Sequence, residues 1–177
     1  MTRTGVVAVS GNPRPGSRTS LVARTLAEHL ADRLGLFEPV TSLDLADVAA
    51  ELFAETAPNA DRYRVTVADA ALAVVATPVY KASYTGLLKA FFDRFPNGGL
   101  RNVVAIPVVV SASPGHSFVA EHVLRPLLVE LGAVVPVRAF AITERQLDDL
   151  HAVIGSWADE ADPVLSQLTG VGLTAGV

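Results

Sequence analysis

Along this chain the spacing of apolar residues switches repeatedly between a strand-like run and a helix-like stripe, and that alternation constrains the fold more than any other feature. Gly5 to Ser10 (GVVAVS) is a short valine-rich run, and from Arg18 to Leu34 the residues Leu21, Val22, Leu26, Leu30 and Leu34 follow one face of a helix. Pro39 to Leu45 reads as a weaker strand, Asn59 to Ala68 as a polar helix, and Ala71 to Thr77 (ALAVVAT) as a buried strand. Helical spacing returns at Tyr84, Leu87, Leu88, Phe91, Phe92 and Phe95, and Asn97-Gly98-Gly99 breaks it. Asn102 to Ser111 is a fourth strand. Ala120, Val123, Leu124, Leu127, Leu128 and Leu131 form another helical stripe, stopped by Gly132. Val134 to Ile142 is a fifth strand, and Leu147, Leu150, Ile154, Trp157, Ala161, Leu165 and Leu168 mark a last helix.

Strand and helix in alternation predict an α/β fold, because parallel neighbours need a helix-length crossover and both sheet faces are then covered. Five strands suit a three-layer sandwich with a parallel sheet in the order 2-1-3-4-5. One domain is expected over residues 1–168, with residues 169–177 (TGVGLTAGV) a frayed tail. Two prolines test the scheme. Pro136 falls in strand 5, a sheet edge, where a missing donor is tolerated, whereas Pro107 falls in interior strand 4 and needs a bulge or a strand end.

Composition narrows the functions available. Of 177 residues, half are hydrophobic and 18% charged, and the mean hydropathy is +0.40. That exceeds what a monomer of this size needs to bury, so a homodimer or homotetramer is expected. A net charge of −4 disfavours a nucleic-acid or membrane-surface partner, which wants a basic field. The absence of cysteine excludes a disulfide framework, a thiolate nucleophile and cysteine-ligated metal. No His/Asp/Glu spacing suggests a metal site. The N-terminal apolar run is too short for a signal segment or a membrane span, so a soluble cytoplasmic protein is expected.

In an open parallel sheet, ligands gather where strands end and the winding direction reverses. For this order the relevant loops follow strands 1, 3 and 4. The first, Gly11-Asn12-Pro13-Arg14-Pro15-Gly16-Ser17-Arg18-Thr19-Ser20, runs straight into a helix. Free amides at the helix start and hydroxyls from Ser17, Thr19 and Ser20 suit a phosphate, with Arg14 and Arg18 able to add charge-assisted bonds. The loop is neither a Walker A motif, since Ser17-Arg18 stands where Lys-Ser/Thr belongs, nor GxGxxG. The same residues also serve as plain helix caps. The second loop, Thr77-Pro78-Val79-Tyr80-Lys81-Ala82-Ser83-Tyr84-Thr85-Gly86, offers a stiffened turn, an aromatic ring and backbone groups, which is what a flat heteroaromatic ligand requires. An ordinary turn with an exposed tyrosine would look alike. The third, Ser111-Ala112-Ser113-Pro114-Gly115-His116, is small enough to approach a ligand closely.

Taken together, AVSGNPRPGSRTS, ATPVYKASYTGLLKAFFD and SASPGH…EHVLRPLL resemble the NAD(P)H-dependent FMN reductase family, over roughly residues 4 to 142. The likeness is greatest to the flavodoxin-like reductases that supply reduced FMN to two-component monooxygenases acting on alkanesulfonates. The resemblance implies FMN and NADPH or NADH as cofactors. It implies that Asn12, Arg14, Ser17, Thr19 and Ser20 hold the phosphate, with Asn12 standing where many relatives carry serine. It implies that Pro78, Val79, Tyr80 and Lys81 line the flavin ring, and that Ser113, Pro114 and Gly115 flank it. No catalytic acid or base is expected, because hydride passes directly to the flavin. A quinone, azo or chromate reductase on the same fold, a non-enzymatic flavodoxin-type carrier and a regulatory module binding a phosphorylated metabolite remain as alternatives.

Pro126 removes the donor that the His122 carbonyl would use, so a bend or π-bulge is expected around His122. In the sulfonate-linked reductases an aromatic residue at the matching point accompanies such a bulge and a tetramer interface; an exposed helix histidine is the plain alternative. Lys89 and Asp93 read as a surface pair, Trp157 as a core residue, and His29 and His151 as solvated. His116, at a helix start near the ring loop, could touch substrate.

Overall fold

A computed structural model describes residues 5–36 and 38–168; the proposed C-terminal tail lies outside the described residues. Five parallel strands, β1 (Val6–Ser10), β2 (Thr41–Asp44), β3 (Leu72–Pro78), β4 (Val104–Ser111) and β5 (Phe140–Thr143), form one sheet. Their order is β2-β1-β3-β4-β5, as the alternation predicts. β1, β3 and β4 are buried along nearly their whole length, the expected state of central strands covered on both faces.

The two faces sort by residue parity, because successive side chains alternate across a sheet. Val6, Ala8, Leu72, Val74, Ile106 and Val108 pack under α1 (Arg18–Leu34) and α5 (Leu150–Leu168). Val7, Val9, Ala73, Val75 and Ala105 pack under α2 (Pro58–Ala68), α3 (Gly86–Phe92) and α4 (Arg125–Glu130). Trp157 is one of the residues closing the first layer. It meets Phe140 edge-on at 5.6 Å, and its Nε1–H donates to the Arg138 carbonyl at 3.1 Å.

β5 departs from the expectation. The chain touches β4 at a single bridge, Val104 with Val134, and pairs continuously only from Val108 with Phe140. Between these pairs three residues of β4 therefore face five of the neighbouring segment, and Pro136 lies in that looped-out stretch rather than in the strand. The same detour accommodates Pro107. β4 runs through it in unbroken register with Val75, so β4 itself has neither a bulge nor an end there. Val104 donates to Ala71 on the β3 side and Ala105 to Val134 on the β5 side, so the nitrogen of Pro107 faces the detour, where no ladder partner is required.

An ion pair replaces the missing ladder. Arg125 pairs with Glu121 and donates to the carbonyls of Val135 and Val137, while Glu121 accepts from the amide of Ala139. The Arg125 guanidinium, with help from that amide, holds the Glu121 carboxyl below its ordinary range. Both residues sit where a π-helical turn, Ala120–Leu124, runs into α4, with Arg125 N–H bonded to Ala120 O. The π-turn contains His122, as Pro126 predicts.

At the free edge of β5 the alternation points Ala141 and Thr143 away from β4. Thr143 N–H donates to Gln146 Oε1 at 3.0 Å, and just ahead of the strand Ala139 is held by Glu121. Among these three outward amides, only that of Ala141 has no side-chain partner.

Candidate functional site

The sheet order brings the C-terminal ends of β1, β3 and β4 side by side, and the three candidate loops leave from them. The loop after β1 is tied at both ends. Gly11 N–H bonds to Ala76 O at 2.8 Å, and Ser17 caps α1 through Oγ, which accepts from Ser20 N at 3.2 Å. Asn12 bridges the loop internally: Nδ2 donates to Thr19 Oγ1 at 3.2 Å and Oδ1 accepts from Arg14 N at 3.0 Å. Thr19 is buried, so Asn12 and Thr19 shape the loop from within, while Arg14 is exposed and Ser17 and Ser20 are half-exposed.

The guanidinium of Arg14 has no ion-pair partner among the described residues, whereas Arg18 pairs with Glu144 at the exit of β5 at 3.0 Å. Gly16 adopts a φ of 60°, a left-handed turn that suits glycine, and presents its amide to Asp44 Oδ2 at 3.1 Å. Asp44 ends β2 and also accepts from Ala46 N, and the Ser20 hydroxyl helps to stabilise its charged form. Burial pushes its carboxyl above the ordinary aspartate value, although these hydrogen bonds pull the other way.

The loop after β3 is locked to the first by two buried threonines. Thr85 Oγ1 donates to Gly11 O at 2.6 Å and caps α3 by accepting from Leu88 N at 3.1 Å. Thr85 N–H in turn donates to Thr77 Oγ1 at 3.1 Å, and that hydroxyl donates to Pro78 O. Gly11 packs tightly here: a Cβ on it would lie 2.8 Å from Leu88 Cβ. Neither threonine was singled out by the sequence, yet a threonine directly before Gly86-Leu87-Leu88 is a recognisable helix-start signal.

Between them, Tyr80 and Ser83 pair through both backbone bonds, 2.9 and 3.1 Å, around Lys81 and Ala82 at φ of 52° and 59°. Two non-glycine residues in the left-handed region form a tight reverse turn of the kind that Asn-Gly normally makes, at a cost of roughly 1–2 kcal/mol per residue. Strain of this sort is characteristic of ligand-contacting segments. The turn holds Tyr80 outward, 46% exposed, with the Lys81 side chain also in solvent. Pro78 is half-exposed. Val79 points back and packs against a small cluster that includes Val109, Val119 and Ala120, so its side chain joins the ring loop to the base of the third loop.

That third loop is a short 3-10 turn, Pro114–His116, capped by Ser113, whose Oγ accepts from Gly115 N at 3.3 Å. Ser111 Oγ donates to Ser113 O at 2.9 Å. Ser113, Pro114, Gly115 and His116 are all exposed.

The donor chemistry fits a phosphorylated flat ligand. Amides of the first turn of α1 have no acceptor within their own helix, two hydroxyls and an unpaired guanidinium stand beside them, and a strained aromatic turn adjoins. Ser10 Oγ, buried at the last position of β1, lacks a hydrogen-bond partner. Among the described residues no group of histidines and carboxylates could hold a metal, and no helix is long and apolar enough to cross a membrane. Lys89 and Asp93 form a surface ion pair. His151 is solvated, whereas His29 is half-buried, with an Nε2 that has no partner.

Comparison with known proteins agrees with this geometry. Residues 4–146 match the family described as NADPH-dependent FMN reductase. The chain is 36% identical to an FMN reductase (NADPH) of Pseudomonas aeruginosa over 157 residues, 84% of this chain and 81% of that protein. It is 31% identical to the NADH-dependent FMN reductase SfnF of Pseudomonas putida over 169 residues, 93% of this chain and 90% of the other. Among solved structures, the apo form of an NADH:FMN oxidoreductase (EMOB) superposes with a TM-score of 0.76 at 28% identity, covering 97% of this chain and 91% of that one. The chain therefore has a flavodoxin-like fold and belongs to the NADPH-dependent FMN reductase family.

Proposed function

We propose that the protein oxidises NADPH or NADH and reduces FMN at the junction of its β1, β3 and β4 loops. The observation that carries this reading is the coupling of two unlike surfaces. A hydroxyl- and arginine-bearing helix start is joined through the Thr85–Gly11 bond to a strained turn that exposes Tyr80. Arg14, Ser17 and Ser20 would hold the phosphate, with Asn12 and Thr19 fixing the loop that carries them. Pro78, Val79, Tyr80 and Lys81 would line the ring through backbone and the tyrosine face, and Ser113, Pro114 and Gly115 would flank it. When bound, the flavin supplies the hydride-accepting centre. The protein's own part is to orient two planar rings and limit water between them, which requires no side-chain acid or base in the hydride step.

The relatives named for NADPH and for NADH make both dinucleotides substrates to test. We further infer that reduced FMN passes to a flavin-dependent monooxygenase, that the enzyme works in the cytoplasm, and that it assembles as a homodimer or homotetramer. Support for assembly is local: Phe118, Val129 and Val134, each between 42% and 52% exposed, lie on the segments around the π-turn and β5. The deciding measurement is oxidation of NADH and NADPH with and without added FMN, followed by loss of nicotinamide absorbance. Turnover that depends on FMN and exceeds that with quinones, azo dyes or chromate is expected. No FMN-dependent oxidation with either dinucleotide would overturn the proposal.

A further inference from the structure

A donor of the loop read as the phosphate site already serves a carboxylate. Asp44 accepts from the Gly16 amide through Oδ2 at 3.1 Å, while its other oxygen accepts from Ala46 N at 3.4 Å; the Ser20 hydroxyl helps to stabilise its charged form. Gly16 is the turn residue of the β1 loop, and Ser20 stands in the first turn of α1. A phosphate seated on that helix start meets a negative charge already bonded to the Gly16 amide and steadied by Ser20. The remaining charges do not compensate: Arg18 is drawn to Glu144, Asp47 adds further repulsion on Asp44, and only Arg14 is left unpaired among the described arginines and lysines of the loop.

We propose that Asp44 sets how loosely the protein holds FMN, acting as a built-in competitor for the phosphate so that the flavin exchanges rather than stays. This rests on the reading of the β1 loop as the phosphate site. Asp44 is a positioning residue in this scheme: it acts through Gly16 and Ser20 on how well they receive the ligand. An enzyme whose product is free reduced flavin needs such weakening, because a phosphate fully satisfied by arginines and helix amides would hold the nucleotide as a prosthetic group.

The experiment compares FMN with riboflavin, which carries the same ring without the phosphate, by flavin-fluorescence titration of wild type, Asp44→Asn, Asp44→Ser and Arg14→Ala. Both Asp44 variants keep an acceptor for Ala46 N and remove the charge, so failure of one to fold leaves the other. Removing one charge from a half-exposed site beside a dianion is expected to tighten FMN binding roughly tenfold, with riboflavin affinity unchanged and inorganic phosphate competing at lower concentration. An FMN-to-riboflavin affinity ratio that moves less than about twofold overturns the inference, as does an equal change for both ligands, which a merely structural role would produce. The underlying reading fails separately: wild type would then bind FMN no better than riboflavin, and Arg14→Ala would leave that comparison unaltered.

Discussion

Replacing Thr85 with valine should cost far more than the loss of one hydroxyl suggests. The side chain is 2% exposed, and its oxygen serves two elements, donating to Gly11 O at 2.6 Å and accepting from Leu88 N at 3.1 Å. Valine keeps the shape and removes both bonds. Loss of the α3 cap is worth about 1 kcal/mol, and stranding the buried Gly11 carbonyl about 1–3 kcal/mol more. Stability should therefore fall by about 2–4 kcal/mol, which for a domain of this length lowers the melting temperature by roughly 5–15 °C. Urea denaturation and thermal melts followed by circular dichroism measure it directly. Thr85→Ser, which retains the hydroxyl, should recover most of the loss. A Thr85→Val protein within about 0.5 kcal/mol of wild type, the usual range for an inconsequential surface change, would refute the claim that this oxygen joins the two loops.

Arg14→Ala should weaken FMN binding by about 1.5–3 kcal/mol, the worth of a charge-assisted hydrogen bond, without altering riboflavin binding; fluorescence titration reads both. Ala82→Gly should raise stability by about 0.5–1 kcal/mol, because relief of a left-handed alanine outweighs the added chain entropy, and a lower melting temperature would contradict the strain. The Glu121 carboxyl lies below its unfolded-state value because of Arg125 and the Ala139 amide. Its contribution is complete above about pH 4.3 and is lost as pH falls through the lower folded value. The difference in urea midpoint between wild type and Glu121→Gln should therefore shrink on acidification, and a gap that stays constant or widens would exclude the ion pair as its source.

What the sequence revealed and what it hid follow from the range of the interactions involved. α1 is legible to the residue, because Ser17 and Gly35 cap it from adjacent positions and the stripe between them repeats at helical spacing. The π-turn at His122 was equally legible, since Pro126 acts only four residues away. The sequence overextends β5 because VVPVRAF is apolar apart from Arg138; what keeps its first half off the sheet is the Glu121–Arg125 pair, brought in from another element. Pro107 taken alone asks for a bulge or an end in its own strand, although the accommodation lies in the adjacent segment leading into β5. In the site, loop positions and capping residues were readable from residue type and spacing. The left-handed Lys81-Ala82 turn was not, because nothing in that dipeptide asks for positive φ. Asp44 was missed because its partner Gly16 is 28 residues away, and a lone aspartate ending a weak strand carries no local mark.

The treatment of the outer margin of β5 bears on how copies of this chain can meet. A bare strand flank invites another backbone to zip onto it, and each addition exposes a fresh flank, so growth has no natural stopping point. Here Glu121 and Gln146 occupy the amides on either side of Ala141, leaving too short a free stretch to template a new strand. Contacts at this border must then be made by side chains with fixed shapes, which favours closed assemblies of definite size over filaments.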